Sequence, residues 1–169
     1  MNTESENSET PQVLFICTEN YYRSRFAEAL FNYQAELIEL PWRAFSRGLA
    51  IQPTPGELHP AVRDALLMRG VSLEYTSYKK NPLTQQDLER ADRIIAIKES
   101  EHRPLMRLYF PDWVDRIEYW SSNGVSRMGS LGRVERLVDN LVMELSRQLQ
   151  NNQGLYPKPG SNDSYSNTA

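Results

Sequence analysis

The chain has 169 residues, 40% of them hydrophobic and 24% charged, with a formal net charge of -3 at pH 7. That balance suits one domain around a single core and gives no reason to expect nucleic acid as a partner. A single cysteine, Cys17, excludes an internal disulfide framework and fits a reducing, cytoplasmic setting, while two histidines, His59 and His102, leave little from which to build a structural metal site.

Met1 to Thr10 is polar and acidic, unlike a signal peptide, and no apolar stretch reaches the ~20 residues of a membrane span. Residues 1–11 are expected to be a disordered tail, 12–149 the folded domain, and 150–169 a second disordered tail. The last of these is rich in Asn, Ser, Gly and Pro and buries too little to offset its ordering entropy.

Val13-Leu14-Phe15-Ile16 reads as a buried strand, and apolar residues at helical spacing predict a helix over 24–38. A short strand near 44–48 follows, then a loop with Pro53, Pro55 and Pro60, then a helix over 60–69 that His59-Pro60 opens and Gly70 closes. Residues 75–82 form a polar loop, in which Lys79 and Lys80 are expected to be solvated. Thr84 to Asp87 looks like a capped helical turn, and Ile94 to Ile97 is a fully buried strand. A helix over 99–109 should carry His102 on its surface, and a fourth strand spans 116–120. Gly124 and Gly129 flank a connector. Leu131, Val134, Val138, Leu141, Leu145 and Leu149 then step by three and four along one amphipathic helix. Strands alternating with helices predict an α/β fold, a doubly wound parallel sheet covered on both faces with right-handed crossovers.

The most informative stretch is Cys17-Thr18-Glu19-Asn20-Tyr21-Tyr22-Arg23-Ser24, which joins the first strand to the first helix. Ligands of open α/β sheets bind at such junctions. A helix N-terminus supplies unpaired N–H donors and part of a positive charge, and a curled run of amides makes an anion nest. Arg23 adds a planar fork that grips two oxygens of a phosphate at once. The same field favours the thiolate of Cys17, an activated nucleophile facing phosphorus. Asn20 tolerates the left-handed backbone such a curl needs, and the Ser24 hydroxyl either caps the helix or donates to the thiolate. A lone cysteine after an apolar strand also fits a small buried core residue. The strand, loop and helix context, together with Asn20 and Ser24, favours the catalytic reading.

Val13 to Cys17, then Asn20, Arg23-Ser24 and Ala27-Glu28-Ala29-Leu30 resemble the low-molecular-weight protein tyrosine phosphatases and their thioredoxin-coupled arsenate reductase relatives. Ser46, Gly48, Arg69-Gly70-Val71 and Ala91 to Ile95 continue the resemblance over residues 12–149. It implies a four-stranded sheet in the order 2-1-3-4, with Cys17 as nucleophile, Arg23 as transition-state clamp, Asn20 as the loop's brace and Ser24 as donor to the thiolate. Thr18, Glu19, Tyr21 and Tyr22 complete the phosphate-binding loop.

Departures from the family pattern are equally specific. Glu19 stands where the family has Gly, and at roughly 6 Å and an effective dielectric near 20 its charge would repel each unit of phosphate charge by on the order of 2 to 3 kcal/mol. Asn123 falls where the family carries the Asp that protonates the departing oxygen, a contribution of ~10²- to 10⁴-fold in rate. Asp112 and Asp115 are the nearby substitutes. Tyr75 replaces a His that buttresses the loop, Tyr22 a second Cys, and Lys98 an acidic residue after the third strand. With one Cys the chain lacks the resolving thiol of the arsenate reductases.

The expected activity is hydrolysis of tyrosyl or other aryl phosphate monoesters through a cysteinyl-phosphate, with no metal or organic cofactor. Phosphorylated protein or a small aryl phosphate would be the substrate, and inorganic phosphate, sulfate or vanadate would be ligands of the loop. The alternative is a non-catalytic pseudophosphatase that holds phosphate or a phosphopeptide without turnover.

Overall fold

Val13 to Cys17 are all buried, which requires a strand flanked on both edges and covered on both faces. In a computed structural model describing residues 9–53, 57–121 and 130–154, this segment is the inner strand β1 (Gln12–Cys17). It pairs in parallel with β2 (Arg43–Gly48) on one side and β3 (Arg93–Ala96) on the other. A two-residue strand β4 (Glu118–Tyr119) extends the sheet from β3, giving the order 2-1-3-4 implied by the resemblance. β4 is shorter than the expected 116–120: Glu118 and Tyr119 stand in register with Ile95 and Ala96, and Trp120 just beyond them donates its amide to the Ala96 carbonyl at 2.9 Å. Residues 122–129, and with them Asn123, Gly124 and Gly129, lie outside the described residues, as do 54–56 and most of both expected tails.

The helices are α1 (Arg23–Leu37), α2 (Pro60–Met68), α3 (Gln85–Arg90), α4 (Glu99–Tyr109) and α5 (Ser130–Gly154). Alternation along β1 divides the core in two, because successive side chains leave a strand on opposite faces. Val13 and Phe15 join the cluster built from α1, α2 and α5, including Phe31, Leu66 and Val138. Leu14 and Ile16 join the cluster under α3 and α4, with Leu88 and Met106. Fully burying each such side chain contributes about 1.5–3 kcal/mol, so the strand that carries the loop is firmly anchored on both faces.

Local signals explain the helix ends. The Ala61 amide donates to His59 Nδ1 at 3.0 Å, with Pro60 in the first turn, so the expected opening of α2 is present. Gly70 closes α2 in the left-handed region at φ 69°. Thr84 and Asp87 form a reciprocal capping box, and the turn expected over 84–87 continues to Arg90. α5 runs beyond its expected end at 149 to Gly154.

One expectation is overturned. His102 is not a surface residue: its exposure is 0%, and its Nδ1 accepts the Lys98 amide at 3.0 Å. That amide precedes the first turn of α4 and has no partner within the helix, so a ring turned back under the turn satisfies it.

Candidate active site

β1 ends at Cys17 and α1 begins at Arg23, so the loop between them lies at the carboxyl edge of the sheet, flanked by β2 and β3. The flanks are tied down on both sides. Leu49 and Ala50 donate backbone hydrogen bonds to the carbonyls of Cys17 (3.0 Å) and Thr18 (2.8 Å), and Ile97 donates to that of Ile16 (3.0 Å). Gly48, beside Cys17 in the parallel register, has no room for a side chain. A Cβ there would stand 2.9 Å from both the Asn20 amide nitrogen and the Glu19 carbonyl carbon.

The curl itself turns on Asn20, which adopts φ 53° and is fully buried. Its amide N–H donates to Cys17 Sγ at 3.2 Å. Its side chain spends every atom: Nδ2 donates to Ser24 Oγ (3.0 Å) and Ser46 Oγ (2.9 Å), and Oδ1 accepts the Asn81 amide at 2.8 Å. Ser24 Oγ lies 2.8 Å from Cys17 Sγ. Ser24 Oγ thus accepts from Asn20 while its own proton remains available to the sulfur. Ser24 does not cap α1, and its hydroxyl instead stands within hydrogen-bond distance of the sulfur, with either atom able to donate.

Beneath this layer lies a second, which sequence reasoning missed. Ser46 Oγ donates to Glu28 Oε2 at 2.6 Å and Thr76 Oγ1 donates to the same oxygen at 2.8 Å. Burial raises Glu28 to about 6, against the opposing hydrogen bonds from Ser46 and Thr76 and the charges of Arg25 and Arg47. Arg25, almost wholly buried, donates from Nε to Thr76 Oγ1 at 3.3 Å and from Nη2 to the Ser77 carbonyl. Burial lowers the Arg25 guanidinium, opposed by the charges of Glu28 and Cys17. The signal available in the sequence was a carboxylate set inside the apolar run Ala27-Glu28-Ala29-Leu30, a position that demands a buried partner.

Tyr75 does not buttress the loop. Its ring packs edge-on against Tyr33 at 5.8 Å, and the neighbouring Thr76 supplies the hydroxyl that reaches Glu28. Tyr21 and Tyr22 flank His59 at centroid distances of 5.1 and 4.8 Å, which makes an aromatic wall beside the loop. Of the lysine pair expected to be solvated, Lys79 is exposed and Lys80 half-buried, with Nζ 4.8 Å over the Tyr21 ring. Thr18 and Glu19 are half-buried. Asp115 is committed to Arg103 at 3.0 Å, and Asp112 is exposed on a 3-10 turn.

Arg23 opens α1, and its Nη1 meets Glu101 Oε2 at 3.2 Å. Lys98 Nζ holds the other oxygen of that carboxylate at 2.8 Å. Burial would push Glu101 up, but the Lys98 hydrogen bond and the charges of Arg23, Lys98 and His102 hold it below its ordinary range. Among the described residues no cluster of three or more His, Cys, Asp and Glu is placed to hold a metal ion.

Residues 12–125 match the model of the low molecular weight phosphotyrosine protein phosphatase family. The chain belongs to this family. A protein-arginine-phosphatase of Bacillus subtilis (strain 168) is 31% identical over 105 residues, 62% of this chain and 67% of that one. The YwlE arginine phosphatase, in a mutant with a phosphorylated active-site serine, superposes with a TM-score of 0.66 at 24% identity, covering 80% of this chain and 95% of that one. A low molecular weight protein tyrosine phosphatase from T. tengcongensis superposes at 0.65 and 21% identity, covering 79% and 99% of the two chains. The family makes the chain a cysteine-based phosphatase, and no helix among the described residues is long and apolar enough to cross a membrane.

Proposed function

We propose that the protein hydrolyses tyrosyl and other aryl phosphate monoesters, with Cys17 as nucleophile. The observation that carries this reading is the buried sulfur at the start of the loop, which accepts the Asn20 amide at 3.2 Å and lies 2.8 Å from the Ser24 hydroxyl. In the first step the Cys17 thiolate attacks phosphorus, an S–P bond forms, and the P–O bond to the phenol breaks with its electron pair going to the departing oxygen. In the second, water attacks phosphorus, the S–P bond breaks, and inorganic phosphate and the thiolate are released. Arg23 and the amides of Thr18, Glu19, Tyr21 and Tyr22 stabilise the equatorial oxygens in both steps, where most phosphoryl-transfer catalysis lies. The wall of Tyr21, His59 and Tyr22 suits a flat leaving group. With Asn at position 123 the departing phenoxide lacks a carboxylic acid, so activated phenols leave fastest.

A second reading, hydrolysis of phosphoarginine, has two supports: the 31% identical relative bears the name of an arginine phosphatase, and Glu19 gives the loop a carboxylate suited to a guanidinium. Turnover of 4-nitrophenyl phosphate, a phosphotyrosyl peptide and a phosphoarginyl peptide, each with vanadate and with Cys17→Ser, decides between the two. Vanadate-sensitive release of phosphate from both aryl substrates, lost in Cys17→Ser, is the expected result. Exclusive turnover of phosphoarginine would replace the first reading by the second, and vanadate binding without turnover would leave a phosphate-binding protein.

A further inference from the structure

Arg23 carries its guanidinium on the first residue of a helix at the protein surface, where a long side chain samples many rotamers unless something holds it. Among the described residues the group that holds it is Glu101, on the first turn of α4, through Nη1. That choice of nitrogen matters. A guanidinium presents its donors in a rigid fork, and engaging Nη1 leaves the Nε and Nη2 edge for two oxygens of a tetrahedral anion.

The carboxylate is itself fixed. Lys98 Nζ holds Oε1, and α4 begins at the strand end where Ile97 donates to the carbonyl of Ile16, one residue before Cys17. His102, wholly buried, braces the turn from below by accepting the Lys98 amide. Its Nε2, buried without a hydrogen-bond partner, lies 3.7 Å from the Glu101 oxygen that Arg23 uses. As a surface pair only partly buried, with side chains 21% and 41% exposed, Arg23–Glu101 contributes on the order of 1 kcal/mol to folding, so stability is a poor account of a carboxylate with this many constraints.

We infer that Glu101 is the positioning residue of the oxyanion clamp, orienting Arg23 toward the loop and keeping the Lys98 charge from displacing it. The inference rests on the phosphatase reading given above. It makes an unusual demand on the kinetics. Removing the Glu101 charge raises the net positive charge at the rim, so attraction for a phosphate dianion is kept or increased, while the fork that must match the transition state is left loose. Ground-state binding and the chemical step should therefore part company.

The test is Glu101→Gln, assayed with 4-nitrophenyl phosphate and by calorimetry with vanadate and with inorganic phosphate. Expected are a fall in kcat and in vanadate affinity of about tenfold to a hundredfold, with KM and phosphate affinity unchanged or improved at low salt. Glu101→Asp, which keeps the charge but shortens the reach, should lose less. In an Arg23→Ala background Glu101→Gln should have no further effect on vanadate binding. Equal losses in the presence and absence of Arg23, or a wild-type kcat in Glu101→Gln, would overturn the inference while leaving the phosphatase reading intact. A wild-type protein that neither binds vanadate nor turns over any phosphate would overturn both.

Discussion

Asn20 does two separable things: it accepts a backbone angle that most residues resist, and it orients two hydroxyls. Asn20→Gly should restore the angle without the hydrogen bonds, whereas Asn20→Ala loses both. With left-handed backbone costing roughly 1–2 kcal/mol for an L-residue and each buried hydrogen bond contributing about 1 kcal/mol, urea unfolding should rank wild type above Gly above Ala. Both variants should slow the labelling of Cys17 by iodoacetamide at pH 7, since the Ser24 proton is no longer directed at sulfur. Identical stability for the two would mean that the angle carries no strain. At position 123 the expectation concerns the leaving group: Asn123→Asp should recover part of the ~10²- to 10⁴-fold acid contribution for basic phenols and little for 4-nitrophenol. A wild type already insensitive to phenol basicity would place the acid elsewhere.

Between elements the decisive contact is β2 against the loop. Gly48→Ala drives a methyl into backbone at 2.9 Å, and backbone held by hydrogen bonds on both sides yields less than a side chain does. Destabilisation of about 1–3 kcal/mol is expected, with a larger proportional loss of vanadate affinity in calorimetry, because the strain falls on the amides proposed to bind the anion. Much of this geometry was legible beforehand. β1, α1 and α5 follow from periodicity, and the loop from residue types whose chemistry converges over a few positions. What escaped prediction arrives from afar: Asn81, Thr76 and Glu101 look like ordinary polar surface residues until the sheet order brings their segments to one edge. His102 was misread for a related reason. A pattern that scores His as polar turns it outward, and nothing local records that the Lys98 amide needs an acceptor. Tyr75 and Thr76 show the limit of position-by-position resemblance, since the role moved by one residue.

At the scale of the whole molecule, two buried groups among the described residues act with opposite signs on stability between pH 4.5 and 6. Burial, only partly offset by Glu101, pushes His102 from 6.5 to about 4, so between those values the unfolded chain binds more protons and stability is lost as pH falls. At about 1.36 kcal/mol for each unit of difference, that amounts to on the order of 3 kcal/mol. Glu28, raised by burial from 4.5 to about 6, binds its proton more tightly when folded, so its effect is a loss of roughly 2 kcal/mol as pH rises through that interval. The two nearly cancel between pH 4.5 and 6. Glu28→Gln should unmask a stability that climbs with pH across this window, and His102→Leu one that declines, each relative to wild type in urea titrations. Parallel curves for all three proteins would refute both assignments.

The bracing of the loop also has a consequence in time. Asn20 is held by Asn81, 61 positions along the chain, and Arg23 by Glu101, 78 positions along. Contacts of such sequence separation close late, because loop-closure entropy must be overcome before they form. The surroundings proposed to activate the thiol are therefore expected only near the end of folding, after α1 and the pairing of β1 with β2. During refolding, helical circular dichroism should recover ahead of fast iodoacetamide labelling at Cys17, which makes reactivity of this sulfur a clock for the final assembly of the sheet edge.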